Sequence, residues 1–315
     1  STMSQVLDEM ENMSDLDDIH LEKGDNVYLK LGINKIPSLL LDNTDRNRTS
    51  PFAFTGNKFE FRAVGSSANS AAPMTILNTI VADQLIIFRK EVEVVLEKGV
   101  KKELAIMEVL KKYVKESKKI RFEGNGYSEE WVEEAAKRGL SNLKTTPEAL
   151  AVYARPESIE LFTKHGIYSK EEMHARHEIE LEKYIKKVQI EARLMGDLAT
   201  NHIIPASIKY QNVLLQNVSL LREASLPENL YKGQLTLLKE VSTHIQEVYD
   251  NVHEMVEARK VANNIEDTRA KAIAYEAQVK AQYFDKIRYH VDKLEELVDD
   301  ELWTLPKYRE LLFLR

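Results

Sequence analysis

The 315-residue chain contains no cysteine. That absence excludes a disulfide framework, thiol catalysis and any Cys-ligated zinc or iron–sulfur centre, and it fits a reducing compartment. Glycine (11) and proline (8) are scarce, which excludes collagen-like and Pro/Gly-rich disordered classes. No uninterrupted run of about 18 apolar residues is present, so no membrane span is expected. A basic excess is missing too: 51 Asp and Glu against 44 Lys and Arg leave a net charge of −7 with the signs interspersed. No nucleic-acid partner is expected from such a balance. The first residues, Ser1-Thr2-Met3-Ser4 followed by Asp8, Glu9 and Glu11, lack the marks of a signal or transit peptide. What is left, 43% apolar and 30% charged, is a globular composition with a soft prior of about two domains. A soluble, cytoplasmic protein is the expectation.

The glycines are unevenly spread: eight lie between Gly24 and Gly139, and only Gly166, Gly196 and Gly233 follow. The chain changes character near residue 70, mixed and turn-rich before, helix-forming after. Helix punctuation in the later part is clear. Ser128 precedes two acids, Arg138-Gly139 supplies a closing cation and glycine, and Ser169-Lys170-Glu171-Glu172 fits a capping box. Thr146 reads as an N-cap before Pro147, and Pro156 and Pro227 sit where a missing N–H costs nothing. The Ser169 helix can run to about Leu221, with a kink or break expected near Ile204 because Pro205 follows. Leu235, Leu238, Val241, Ile245, Val248, Val252 and Met255 form one helical stripe; Val279, Tyr283, Ile287, Val291, Leu294 and Val298 form another. Asn263-Asn264 between them can take the left-handed conformation that ends a helix. These stripes predict a helical hairpin packed on the kinked helix, a bundle-like domain.

The earlier part differs in kind. Residues 52–64 read as two short strands joined at Gly56-Asn57. In the second strand Phe59 and Phe61 point one way, and Lys58, Glu60 and Arg62 the other. Solvated strand faces commonly look like this. The preceding stretch, however, carries Asp45, Arg46, Arg48 and hydroxyls that would converge on the same sheet end. Guanidinium groups fork onto phosphate or carboxylate oxygens, and a glutamate offers a hard oxygen to Mg²⁺ or Mn²⁺. The residues alone thus suggest an anionic substrate with a divalent cation, and no more. Ser66 to Asn69 is turn and cap chemistry ahead of a long apolar helix from about Ala71 to Leu96.

Asn47-Arg48-Thr49, Lys58-Phe59-Glu60-Phe61-Arg62 and Ser67-Ala68-Asn69 together resemble the end of the catalytic domain of glutamine synthetase. The string from Thr44 to Asn69 is similar to the type III form. The resemblance continues through residues 121–131 and 137–140 and over His174-Ala175-Arg176-His177-Glu178. It implies an α+β, predominantly α-helical fold: a small antiparallel β-hairpin remnant of the catalytic sheet, followed by a helical-bundle domain. Residues 1–98 would be the C-terminal part of the catalytic domain and 99–315 a type III-specific helical domain. The implied reaction is the ATP-dependent ligation of ammonium to L-glutamate through a γ-glutamyl phosphate, with Mg²⁺ or Mn²⁺. Carried over, Glu60 is a metal ligand, Arg62 clamps the glutamate carboxylate and then the acyl phosphate, and Arg48 stabilises charge on the γ-phosphate of ATP. Lys58 falls near the nucleotide, where type I enzymes carry arginine; lysine keeps the charge and loses the fork. The family assembles as two stacked hexameric rings, so a homo-oligomer is implied.

Some family features have no counterpart. The β-grasp domain, the metal-binding glutamate pairs, the glycine-rich glutamate-binding segment and the flap glutamate all precede this stretch in the family's order. The chain alone is therefore expected to be inactive, and a non-catalytic helical assembly or regulatory module is the alternative. Weaker motifs carry less. His174 and His177 have no third ligand in the sequence, and Gly124-Asn125-Gly126 lacks the Gly-Lys-Ser/Thr ending of a phosphate loop. Trp131 and Trp303 read as packing residues.

Overall fold

Beyond residue 70, scarce glycine and apolar side chains three and four apart favour helix almost without interruption. The computed structural model describes residues 7, 8, 10, 11, 19–22, 28–31, 52–54, 59–62, 65, 68–122, 125, 126 and 128–312. Its strands are β1 (Ile19–Glu22), β2 (Tyr28–Leu31), β3 (Phe52–Phe54) and β4 (Phe59–Phe61). They pair as two antiparallel two-stranded ribbons, β1 with β2 and β3 with β4. Helices follow: α1 (Ala71–Leu96), α2 (Lys102–Glu116), α3 (Glu129–Lys137), α4 (Thr146–Leu150), α5 (Pro156–Lys164) and α6 (Lys170–Leu198). After them come α7 (Ile204–Glu223), α8 (Lys232–Asn263), α9 (Thr268–Ala274), α10 (Asp285–Leu297) and α11 (Tyr308–Leu311). The chain is therefore mainly helical with a small β component, as the sequence implies.

The chain divides into two compact units, Ser1–Asn142 with Glu160–Ile167, and Leu143–Ile159 with Tyr168–Arg315. In the first, the C-terminal half of α1 lies on α2 through Val92, Val95, Ala105 and Val109, with Phe88 set edge-on to Tyr113 at 5.7 Å. Ser128 caps α3 by accepting from the Trp131 amide, and Trp131 stacks on Phe122 with Arg138 over its ring. Although no unbroken apolar run exists, α1 is long and apolar enough to cross a membrane by length and composition, and only 6% of that stretch is buried.

In the second unit both expected stripes turn inward. Val241, Val248, Val252 and Met255 of α8 meet Leu181, Ile185 and Val188 of α6 and Ile287 and Leu294 of α10 in one buried cluster. The capping box at Ser169 is complete: its hydroxyl accepts from the Glu172 amide, and the Glu172 carboxylate accepts from the Ser169 amide. Pro205 does interrupt the long helix, but as a widened π segment, Ala199–Ile203, rather than a break. Proline has no N–H and its ring crowds the carbonyl four residues back, so a wider turn relieves both defects without ending the helix. A second π segment, Tyr275–Phe284, joins α9 to α10. Two details correct the sequence reading. The N-cap of α4 is Thr145, one residue before Thr146. Asn264 ends α8 in a right-handed conformation; Asn263 instead uses its side chain, accepting from the Tyr275 hydroxyl (2.6 Å) and from the Gln189 amide (2.7 Å).

Candidate functional site

The β3–β4 ribbon aligns Phe52 with Phe61, Ala53 with Glu60 and Phe54 with Phe59. Glu60 and Arg62 lie two residues apart, so the pleat sends both side chains to one side. There they engage each other: Arg62 donates to Oε2 of Glu60 through Nη2 at 3.0 Å and through Nε at 3.3 Å. Both are only partly exposed, 28% for the Arg62 side chain and 37% for Glu60. Phe61, on the opposite side, is exposed. Of the expected site residues the structure thus brings Glu60 and Arg62 together. Arg48 and Lys58 lie outside the described residues, as do the Asn47 turn and the Gly56-Asn57 connection.

This arrangement presents a planar cation and a carboxylate side by side, a pairing suited to an anionic substrate group. It is not by itself a metal centre. Mg²⁺ demands near-octahedral oxygen coordination, and among the described residues no group of three or more His, Asp or Glu side chains converges. One Glu60 oxygen is already engaged by Arg62. No step of the chemistry is therefore assigned to a metal held by these residues alone.

Other polar clusters were not legible in the sequence because their members are far apart along the chain. Asp83 of α1 accepts from Lys164 (2.5 Å) and bonds His165 Nε2 (2.8 Å). The hydrogen bond from Lys164, then that from His165, holds the Asp83 carboxyl below the usual range. Tyr184 donates to Glu276, which also pairs with Lys280 at 3.2 Å. His177 is held neutral more strongly than an exposed histidine, chiefly by burial.

His244 of α8 and His290 of α10 face each other through their Nδ1 atoms at 2.8 Å. That bond needs one imidazole to accept, so the doubly protonated pair cannot form it. Burial first, and the His290 charge second, lower the His244 pKa; Lys293 adds to this, while Glu240 and Glu247 oppose it. A depressed histidine pKa means the unfolded chain binds more protons. The stabilisation is then complete above the unfolded value near 6.5 and is lost as pH falls through the folded one. Thermal melts between pH 7.5 and 5 should show the second unit losing stability on acidification. His244→Gln should flatten that slope, and an equally steep slope in the variant would remove the pair as its cause.

Comparisons with known proteins bear on the whole chain. The family profile described as glutamine synthetase C-terminal domain matches residues 105–222. A glutamine synthetase of Bacteroides fragilis is 48% identical over 316 residues, covering 99% of this chain and 43% of that protein. The type-3 glutamine synthetase of Dictyostelium discoideum is 36% identical over 300 residues, 91% of this chain and 39% of its own length. A glutamine synthetase of Butyrivibrio fibrisolvens is 36% identical over 277 residues, 86% and 38% respectively. This chain thus spans about two fifths of the length of the curated relatives it matches. Along nearly all its length, the chain corresponds to the C-terminal part of a glutamine synthetase.

Proposed function

We propose that the chain supplies one side of the active site of a type III glutamine synthetase, an ATP-dependent glutamate–ammonia ligase. Residues 1–98 form the end of the catalytic domain in this reading, and 99–315 a helical domain that supports a cytoplasmic homo-oligomer. The observation that carries it is the Glu60–Arg62 pair on one side of the β3–β4 ribbon, inside the stretch that matches relatives bearing that name.

In the reaction, a γ-carboxylate oxygen of glutamate attacks the γ-phosphorus of ATP and expels ADP. Ammonia then adds to the acyl phosphate carbon, and inorganic phosphate leaves with the C–O bond electrons. With its Nε–Nη2 edge held by Glu60, Arg62 turns its outer Nη1–Nη2 edge to a substrate carboxylate and stays in place while that oxygen becomes part of the acyl phosphate. The negative charge it neutralises persists through both steps, so a preorganised guanidinium serves each. Arg48 offsets charge on the transferring phosphoryl group, and Lys58 contributes charge near the nucleotide. Glu60 does two things: its oxygen fixes the Arg62 fork, and it offers one carboxylate donor toward a divalent cation whose remaining donors come from outside the described residues.

The test is to fuse this chain behind the portion of the Bacteroides fragilis relative that it does not match. Glutamate- and ammonium-dependent phosphate release is then measured with ATP and Mg²⁺. The fusion should turn over and the isolated chain should not. A folded, ATP-binding fusion without glutamate-dependent release would overturn the reading, and so would sustained release by the isolated chain.

A further inference from the structure

Helix α1 is too apolar for its surroundings. Phe88, Val92 and Val95 are covered by α2. Stepping back along the helix by threes, fours and sevens, the same row continues through Leu85, Val81 and Met74, which are 60%, 45% and 51% exposed. A second exposed row, Ile80, Ile87 and Val94, runs beside it at a spacing of seven. From Met74 to Leu85 the uncovered row extends roughly 16 Å at the helical rise. Contiguous apolar surface of this kind marks a contact site.

Three covers would satisfy it: a bilayer, a second copy, or more polypeptide. Asp83 and Gln84 interrupt the apolar sequence of the helix near its middle, and Asp83 is tied to Lys164 and His165 of the same unit. Burying that ionic cluster in lipid is expensive. The β3–β4 ribbon just before α1 points to polypeptide instead. Among the described residues it is two strands wide, less than a sheet needs for independent stability in water. Among the described residues, a narrow ribbon and a helix with an exposed apolar row thus lie on one continuous stretch. Meanwhile the relatives are more than twice as long as the stretch they share with this chain.

We propose that the Met74–Val81–Leu85 row of α1, flanked by Ile80 and Ile87, is the docking face for the portion of a glutamine synthetase that this chain does not span. The proposal rests on the functional reading above. It goes further by naming the face through which the two portions are held together.

The absence of cysteine makes the face readable. Leu85→Cys introduces the only thiol of the chain, and its alkylation rate can be followed by peptide mapping in the isolated chain and in the fusion. The introduced thiol should react freely in the isolated chain and at least tenfold more slowly in the fusion. Leu215→Cys, on exposed surface of the second unit, should react alike in both. Equal Leu85→Cys rates in the two forms would overturn the proposal. So would protection in the isolated chain that grows with its concentration, which assigns the face to a second copy, or protection by neutral phospholipid vesicles, which assigns it to a bilayer. Phosphate release by the same fusion separates the two ideas. An active fusion with an unprotected thiol sinks the docking face alone, whereas a protected thiol in an inactive fusion sinks the catalytic reading alone.

Discussion

In the fusion, Glu60→Ala should lower glutamate-dependent phosphate release by at least about a hundredfold, the upper range for losing even an outer-shell partner of a metal site. Two losses combine there. A carboxylate donor disappears, and the Arg62 guanidinium loses the oxygen that Nε and Nη2 both engage. Arg62→Ala should slow phosphoryl transfer and raise the glutamate KM together, because the side chain holds the carboxylate before and during attack. Arg62→Lys should recover little: an ammonium keeps the charge but not the two-pronged geometry. The melting temperature of the helical unit should not move in any of these variants, since β4 lies in the other unit. Glu60→Ala activity within threefold of the parent, at saturating Mg²⁺, would remove Glu60 from the chemistry. Retained activity in Arg62→Lys would reduce Arg62 to a point charge.

How far the sequence revealed these features depended on whether the signal was local. Alternation over Phe59, Glu60, Phe61 and Arg62 was enough to place acid and base on one strand face, because the pleat has a fixed period of two. The ends of α3 and α6 were equally readable, since Ser128 and Ser169 act on amides only three residues away. The stripes of α8 and α10 announced their buried faces by spacing alone. What escaped was non-local or a matter of degree. Nothing near His244 points to His290, 46 positions later, and Asp83 meets its partners 81 and 82 residues on. The Tyr275–Phe284 π segment escaped as well. Steps of four from Val279 to Tyr283 to Ile287 suit a slightly widened helix about as well as an α-helix, so periodicity does not separate them. Asn263 misled for a related reason: its amide found Tyr275 and Gln189, making a tertiary bond of a residue whose local preference is to end helices. At α1 run length did not register how apolar the helix is, because one to three polar residues break each apolar run while the helix stays apolar as a whole.

Burial is the quantity that spacing predicts least well, and two leucines isolate it. Leu294 and Leu194 both sit in long helices of the second unit, yet Leu294 is 0% exposed and Leu194 is 54% exposed. Leu294→Ala removes methyl groups from the cluster that joins α6, α8 and α10 and leaves a cavity the neighbours refill only in part. A cost of about 3 kcal/mol is expected, which lowers the melting temperature of a unit this size by about 6–12 °C. Leu194→Ala removes the same atoms from a half-solvated site and should stay within about 0.5 kcal/mol of the parent. Thermal melts followed by far-ultraviolet circular dichroism on the isolated chain distinguish the two directly. Equal shifts would mean that the α10 stripe is not the seam of the bundle. A large shift for Leu294→Ala alone ties the stability of the second unit to the packing of α10 on α6 and α8. The same seam partly buries His244 against His290, and burial is the main cause of its lowered pKa, so the loosened cavity variant should also flatten the loss of stability on acidification.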